Sequence, residues 1–416
     1  MPLPPRRHDK PMDGLTRRTL LTASGVVGAT ALLAGAARVG WEEVMSRAVS
    51  TPLATGTPIL VLVTMYGGND GLNTVVPYAD PGYHDARPEL AYTPDEVIHL
   101  DDQLGLNPGL KGLSQLWQDR KLAIVRGVGY PKPDHSHFRS MDIWQSASPE
   151  SPVASGWIGR WLDTAGGDPL LALNIGDVLP PLAVGTKATA AALSVGTAPR
   201  GSSARDAIIG QLAAADPGDS PAAAQVAASY AAVQRLDMTF APVLAGTAAP
   251  AASGGRGNSS LGDQLGLVAR CIRAGAPTRV YAVSVSGFDT HADEKVAQTA
   301  QLTSVDRALT GFRSAMAGHA RARDVVVMAY TEFGRRVRAN ASQGTDHGTA
   351  GPVFVMGDAV RAGFYGDQPS LTDLDDGDLK TTTDFRAVYG ELLATVLKAD
   401  PAQVLDKVPA PLGLLA

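Results

Sequence analysis

The run Pro58-Ile59-Leu60-Val61-Leu62-Val63-Thr64-Met65-Tyr66 is apolar at nearly every position, rich in β-branched residues, and stopped by Gly67-Gly68. An amphipathic helix would place polar residues every third or fourth position, and a strand with one wet face would alternate. A short unbroken run instead fits a strand covered on both faces, as in a parallel sheet packed between helices. Similar runs occupy 122–128, 278–285, 324–331 and 351–357, with a weaker one at 171–175. Helical stretches at 261–274, 297–320 and 385–397 separate or follow them. Strands alternating with helices predict an α/β fold: a doubly wound, mostly parallel sheet flanked by helices. In such a sheet ligands collect outside the carboxyl ends of the strands.

The first forty residues read differently. A basic head with Arg6, Arg7 and Lys10 leads to Thr16-Arg17-Arg18-Thr19-Leu20-Leu21, then to a Gly/Ala-rich apolar run and the small residues Ala34-Gly35-Ala36. This is the pattern of a twin-arginine export signal over residues 1–36, with the mature chain beginning near Ala37. The expected partner is the twin-arginine translocase, and the expected location is the periplasm, cell envelope or exterior. At ~20 weakly hydrophobic residues, the run would just reach across a bilayer as an uncleaved anchor.

Residues 37–416 are expected to form a single domain, since large α/β enzymes run to this length. Between about 186 and 257 the composition shifts to Ala, Gly, Ser and Pro, which predicts a helical insertion followed by a flexible connector. A formal net charge of -5 with 19% charged residues leaves no basic stripe for nucleic acid. Cys271 is the only cysteine, so no intrachain disulfide forms, and any metal must be held by His, Asp, Glu or Asn.

Polar clusters stand at the strand ends: Asn69 and Asp70 after the first run, Asp289 and His291, then Glu332, and Asp346 and His347 ahead of the last. Another, Asp134-His135-Ser136-His137-Phe138-Arg139, opens a predicted helix. Carboxylates and imidazoles gathered at one sheet edge need a compensating charge, and a divalent cation supplies it. Oxygen and nitrogen donors without thiolate suit Zn, Mn, Mg or Ca alike. Ser136 at a helix N-terminus is placed either to attack an anion bound there or simply to cap the helix. His135 and His137 flank it, and Arg139 one turn on is placed to contact a substrate oxyanion. Asn69-Asp70-Gly71 is equally ordinary turn chemistry, and Glu332 is either a ligand or an ion-pair partner of Arg335 or Arg336. His84, His99 and His319 are expected at the surface.

The twin-arginine leader together with the blocks GGNDGLNTVVPY, HSHFRSMDIWQ, GFDTH, TEFGRRVRAN and DHGTAGPVFVMG resembles the DUF1501 family of exported bacterial proteins, and these blocks span 59–389. That family is in turn similar to the alkaline phosphatase and sulfatase superfamily. The resemblance implies metal ligation by Asp70 or Asn69, by Asp289 and His291, by Glu332, and by His347 with Asp346 beside it, with Ser136 near the nucleophile. Phe333 departs from it, standing where a histidine ligand is expected. Two functions are therefore expected: a metal-dependent hydrolase of small phosphate or sulfate esters, or an exported protein that binds a ligand or partner in the same cleft without turnover.

Overall fold

The computed structural model describes residues 38–176, 179–195 and 259–416. The expected leader at 1–36, the helical patch at 222–236 and the connector at 245–257 lie outside these residues.

Ten strands form the central sheet: β1 (Arg38–Val39), β2 (Ile59–Tyr66), β3 (Leu122–Gly129), β4 (Ala172–Ile175), β5 (Ala191–Leu193), β6 (Val280–Ser286), β7 (Val325–Tyr330), β8 (Gly351–Gly357), β9 (Gly363–Tyr365) and β10 (Thr383–Asp384). They run in the spatial order β1-β5-β4-β6-β2-β7-β8-β3-β9, with β10 also pairing β3. All pairings are parallel except those of β8, which is antiparallel to both β7 and β3. Its register shifts between Gly351 and Val353, around Pro352, which has no N–H to give to a ladder. β5 corrects one expectation: 191–193 belongs to the main sheet, so the sheet continues past the point where the insertion was expected to begin.

Helices cover both faces, which is why the strands read as unbroken apolar runs. Leu60, Leu62, Val326, Met328 and Val355 pack against α4 (His137–Ser146), α5 (Trp157–Thr164) and α8 (Phe385–Glu391) with its π-helical extension Leu392–Leu397. Ile59, Val61, Val63, Val327 and Met356 pack on the other side against α1 (Trp41–Ser50), α3 (Lys111–Gln118), α6 (Leu261–Ala274) and α7 (Glu294–Met316). Between them in the chain lies α2 (Pro81–Ala86), a short helix near the end of β2. The last helix of the second layer starts earlier and ends earlier than its sequence predicts, because Gly318 takes a positive φ of 73° just beyond it. Cys271 is buried in α6 and burial pushes its thiol up to about 12, so it is inert. No helix among the described residues is long and apolar enough to cross a membrane.

The reversed strand matters for function. β2, β6 and β7 deliver the residues that follow them to the carboxyl edge of the sheet, and β8 delivers the residues that precede it to that same edge. Asn69, Asp289, Glu332 and His347 are therefore brought to one end of the molecule by backbone direction alone.

Candidate metal centre

Asp289 stands at the middle of that edge. Its Oδ1 lies 3.4 Å from His137 Nε2, 3.1 Å from His291 Nε2 and 3.3 Å from His347 Nε2. The Nε2 atoms of His291 and His347 are 2.9 Å apart. The ligand atoms of His137, Asp289 and His347 all lie within 4.8 Å of one another. Ligand atoms on a tetrahedron with bonds of ~2.1 Å sit about 3.4 Å apart, and the three spacings to Asp289 Oδ1 are of that size.

The other ring nitrogens explain the orientation. His137 Nδ1 lies 2.8 Å from Glu332 Oε1, His347 Nδ1 lies 2.7 Å from the His135 carbonyl, and His291 Nδ1 lies 3.5 Å from Asp346 Oδ1. In His137 and His347 the Nδ1 atom lies at hydrogen-bond distance from an acceptor; with the proton held there, Nε2 turns a lone pair towards Asp289, as a metal-binding imidazole requires. His137 Nε2 is buried and has no hydrogen-bond partner. Three nitrogen lone pairs and a carboxylate oxygen converging at these distances repel one another unless a cation lies between them, so the residues present fit a divalent metal.

Arg335 builds the cradle. Fully buried, it donates from Nε to Gly68 O at 2.6 Å, from Nη1 to Thr345 O at 2.9 Å, and from Nη2 to Gly67 O, Phe288 O and Asp289 Oδ1 at 2.5, 3.1 and 2.7 Å. One guanidinium thus ties the loops after β2 and β6 to the segment before β8. Gly67 and Gly68 permit the approach: both have positive φ, and a Cβ at either would come within 2.5 Å of Asp289 N or 2.1 Å of the Phe333 ring. Burial opposes ionisation of Asp289, but the hydrogen bond and charge of Arg335 outweigh it and hold the carboxyl down at about 2. Burial pulls the His347 imidazole below its ordinary value, and the Arg335 charge pulls the same way. Phe333 is buried, its ring 4.8 Å from that of His137 and 5.0 Å from that of His347. It forms an apolar wall beside both imidazoles, and His137 approaches Asp289 from the start of α4.

The expected residues thus separate. Asp289, His291 and His347 come together, with Asp346 and Glu332 behind them as partners of His291 and His137. Glu332 does not pair with Arg335; its Oε1 also accepts from Gly67 N at 2.9 Å, and its Oε2 accepts from Thr331 at 2.9 Å. His137, expected beside the nucleophile, faces the cluster itself. His135 turns away to Asp378, Nε2 to Oδ2 at 2.6 Å, while its backbone carbonyl holds His347. Ser136 is exposed and caps α4, accepting from Arg139 N at 3.5 Å, and Arg139 is paired with Asp142 at 2.5 Å on its own helix. Of the remaining histidines, His99 is exposed, and His84 and His319 are half-buried.

Asn69 and Asp70 do not join the cluster. Asp70 is fully buried and both its oxygens are taken by Arg87, with Oδ1 also accepting from Leu72 N at 3.2 Å. Asn69 accepts from Gln298 at 2.9 Å and donates to Thr74 at 2.9 Å. Burial works against the Asp70 charge, and Arg87 more than offsets it, holding the carboxyl below its usual range. Nearby, burial and the Asp70 charge push buried Glu294 up to about 9, so it stays protonated at neutral pH, with Thr345 donating to it at 2.5 Å. Because its folded value lies above the unfolded one, its contribution to stability is full below about 4.5 and is lost as pH rises through about 9. Stability is therefore expected to fall between pH 5 and 9, and Glu294→Gln, which faces the same Asp70, Arg87 and Thr345, is expected to flatten that slope in urea melts taken across the range.

The site is open. The side chains of Asp289 and His291 are 50% and 45% exposed, those of His137 and His347 28% and 24%. A structural metal is closed off by its ligands, whereas a catalytic one keeps a face for substrate. The molecule is thus a doubly wound α/β protein with an open histidine–carboxylate cluster at the carboxyl edge of its sheet. A family model described as a protein of unknown function, DUF1501, matches residues 184–400, more than half of the chain, and the chain belongs to that family. No curated protein matches it. Among solved structures it is similar to a protein in the alkaline phosphatase superfamily from Vibrio parahaemolyticus, at 10% identity and a TM-score of 0.36, over 79% of this chain and 70% of that one. It is also similar to alkaline phosphatase from the Antarctic bacterium TAB5, at 10% identity and a TM-score of 0.37, over 75% of this chain and 95% of that one. Likenesses this distant assign no side chain a role.

Proposed function

We propose that the chain is a metal-dependent hydrolase of phosphate or sulfate esters in which His137, His291, His347 and Asp289 hold one divalent cation. The observation that carries this reading is the convergence of three Nε2 lone pairs on Asp289 Oδ1 at a solvent-open edge. A donor set of three imidazoles and one carboxylate favours zinc or a similar transition metal over magnesium or calcium. Such a cation supplies Lewis acidity, lowering the pKa of water towards about 7 and offsetting charge that develops on an ester oxygen. The chain's own residues do the rest. Arg335 and Glu332 fix the orientation of Asp289 and His137, and the start of α4, at His137, favours an anion beside the cluster. With Asp70 committed to Arg87, the reading needs a single cation and not a pair.

Elemental analysis of the purified full-length protein is expected to find about one transition-metal ion per chain, and an ester panel is expected to show turnover that chelation removes. Bound metal with no turnover on any phosphate or sulfate ester would favour the non-catalytic binding protein. Ser136→Ala is expected to retain turnover while costing about 1 kcal/mol of stability as a lost helix cap. Lost turnover with metal retained would instead assign the attack to Ser136 Oγ.

We also propose export through the twin-arginine route, on the strength of Arg17-Arg18 ahead of an apolar run. Replacing both with lysine is expected to leave the protein in the cytoplasm on cell fractionation; undiminished export would refute it.

A further inference from the structure

A cavity of roughly 450 Å³ opens at the other end of the sheet. Trp161, Leu171, Arg279, Leu397, Lys398 and Gln403 line it, among others. Leu171 and Arg279 lie just ahead of β4 and β6, so the length of β6 separates this cavity from the metal centre, roughly 20 Å at ~3.3 Å per residue.

Arg279 is the unusual member. Its Nη1 donates to Leu397 O at 3.0 Å and its Nη2 to Val396 O at 2.7 Å, and its guanidinium lies 6.0 Å from the Trp161 ring centre. These contacts hold the group without neutralising it. Among the described residues no carboxylate lies within ion-pair reach of it, and its Nε is buried with no partner. A guanidinium fixed by two carbonyls and left without a carboxylate holds a positive charge in place at the wall of the cavity, where an oxyanion is favoured. Burial lowers the Arg279 pKa, and no opposing charge is at work on it. Lys398, exposed and also without an ion pair among the described residues, adds a second positive charge at the rim. Asp400 is the one carboxylate of the lining, and its Oδ1 accepts from Ala402 N at 3.0 Å.

We propose that this cavity binds a small organic anion: a carboxylate or phosphate on an apolar body, with the oxyanion against the Arg279 guanidinium and Lys398, and the body against Leu171 and Trp161. This site is separate from the metal centre and does not rest on the hydrolase reading. Calorimetric titration of the full-length protein with benzoate, phenyl phosphate and the neutral benzamide tests it. One or both anions are expected to bind and benzamide is not; their relative affinity tells carboxylate from phosphate. Arg279→Lys, which keeps the charge but not the fork, is expected to weaken binding about tenfold. Lys398→Ala, a surface change that leaves the fold in place, is expected to weaken it about threefold. His347→Ala is expected to leave it unchanged. The proposal is overturned if neither anion binds, if benzamide binds as well, if both basic-residue variants bind like wild type, or if binding is lost with His347.

Discussion

Replacing His347 with alanine is expected to weaken metal binding at least about a hundredfold and to abolish ester hydrolysis, with the fold intact. His347 supplies one of three Nε2 lone pairs, and its Nδ1 contact is to a backbone carbonyl, so little structure depends on the ring. His291→Ala is expected to behave alike, since its ring is 45% exposed. His135→Ala is the control: it removes an imidazole two residues from His137 but leaves the carbonyl that orients His347. Elemental analysis and circular dichroism on the three proteins decide the matter. Metal retained by both His347→Ala and His291→Ala would remove the centre as described.

The second large effect is on stability. Asp70→Ala is expected to cost about 3–5 kcal/mol, because it strands the Arg87 guanidinium, fully buried, without its counter-charge. Metal content, measured at a temperature where the variant stays folded, is expected to be unchanged. Replacing Asp70 and Arg87 together by apolar residues of similar volume is expected to cost much less than the single change. A variant with full stability and no metal would restore Asp70 as a ligand.

These two experiments bracket what sequence made legible. The strands were readable because both faces are covered, which removes the polar interruptions that blur a strand with one wet side. From the strand ends followed the proximity of Asp289, His291, Glu332 and His347. The direction of β8 carried no sequence signal, although it is what brings His347 to the right edge. Asp70 was ambiguous for a physical reason: a carboxylate after a strand reads the same whether its partner is a cation or an arginine. That arginine, Arg87, caps the short helix α2 and shows itself only in three dimensions. His137 was obscured by Ser136, a stronger chemical signal that the structure uses as a cap. Arg335 read only as a candidate ion-pair partner of Glu332, and its five donor contacts reveal a clamp instead.

The sheet order imposes a schedule on assembly. Among the described residues β3 finds its strand partners only in β8, β9 and β10, all encoded after residue 350, so Leu122–Gly129 leaves the ribosome long before these strands exist. α4 and His137 follow β3 directly and reach Asp289 only when β8 has closed the gap between β7 and β3. Contacts so distant in sequence form slowly. A chain cut before Gly351 would lack the bridge that brings His137 across, so the cluster of His137, Asp289 and His347 is completed only after the strands beyond residue 350 are in place.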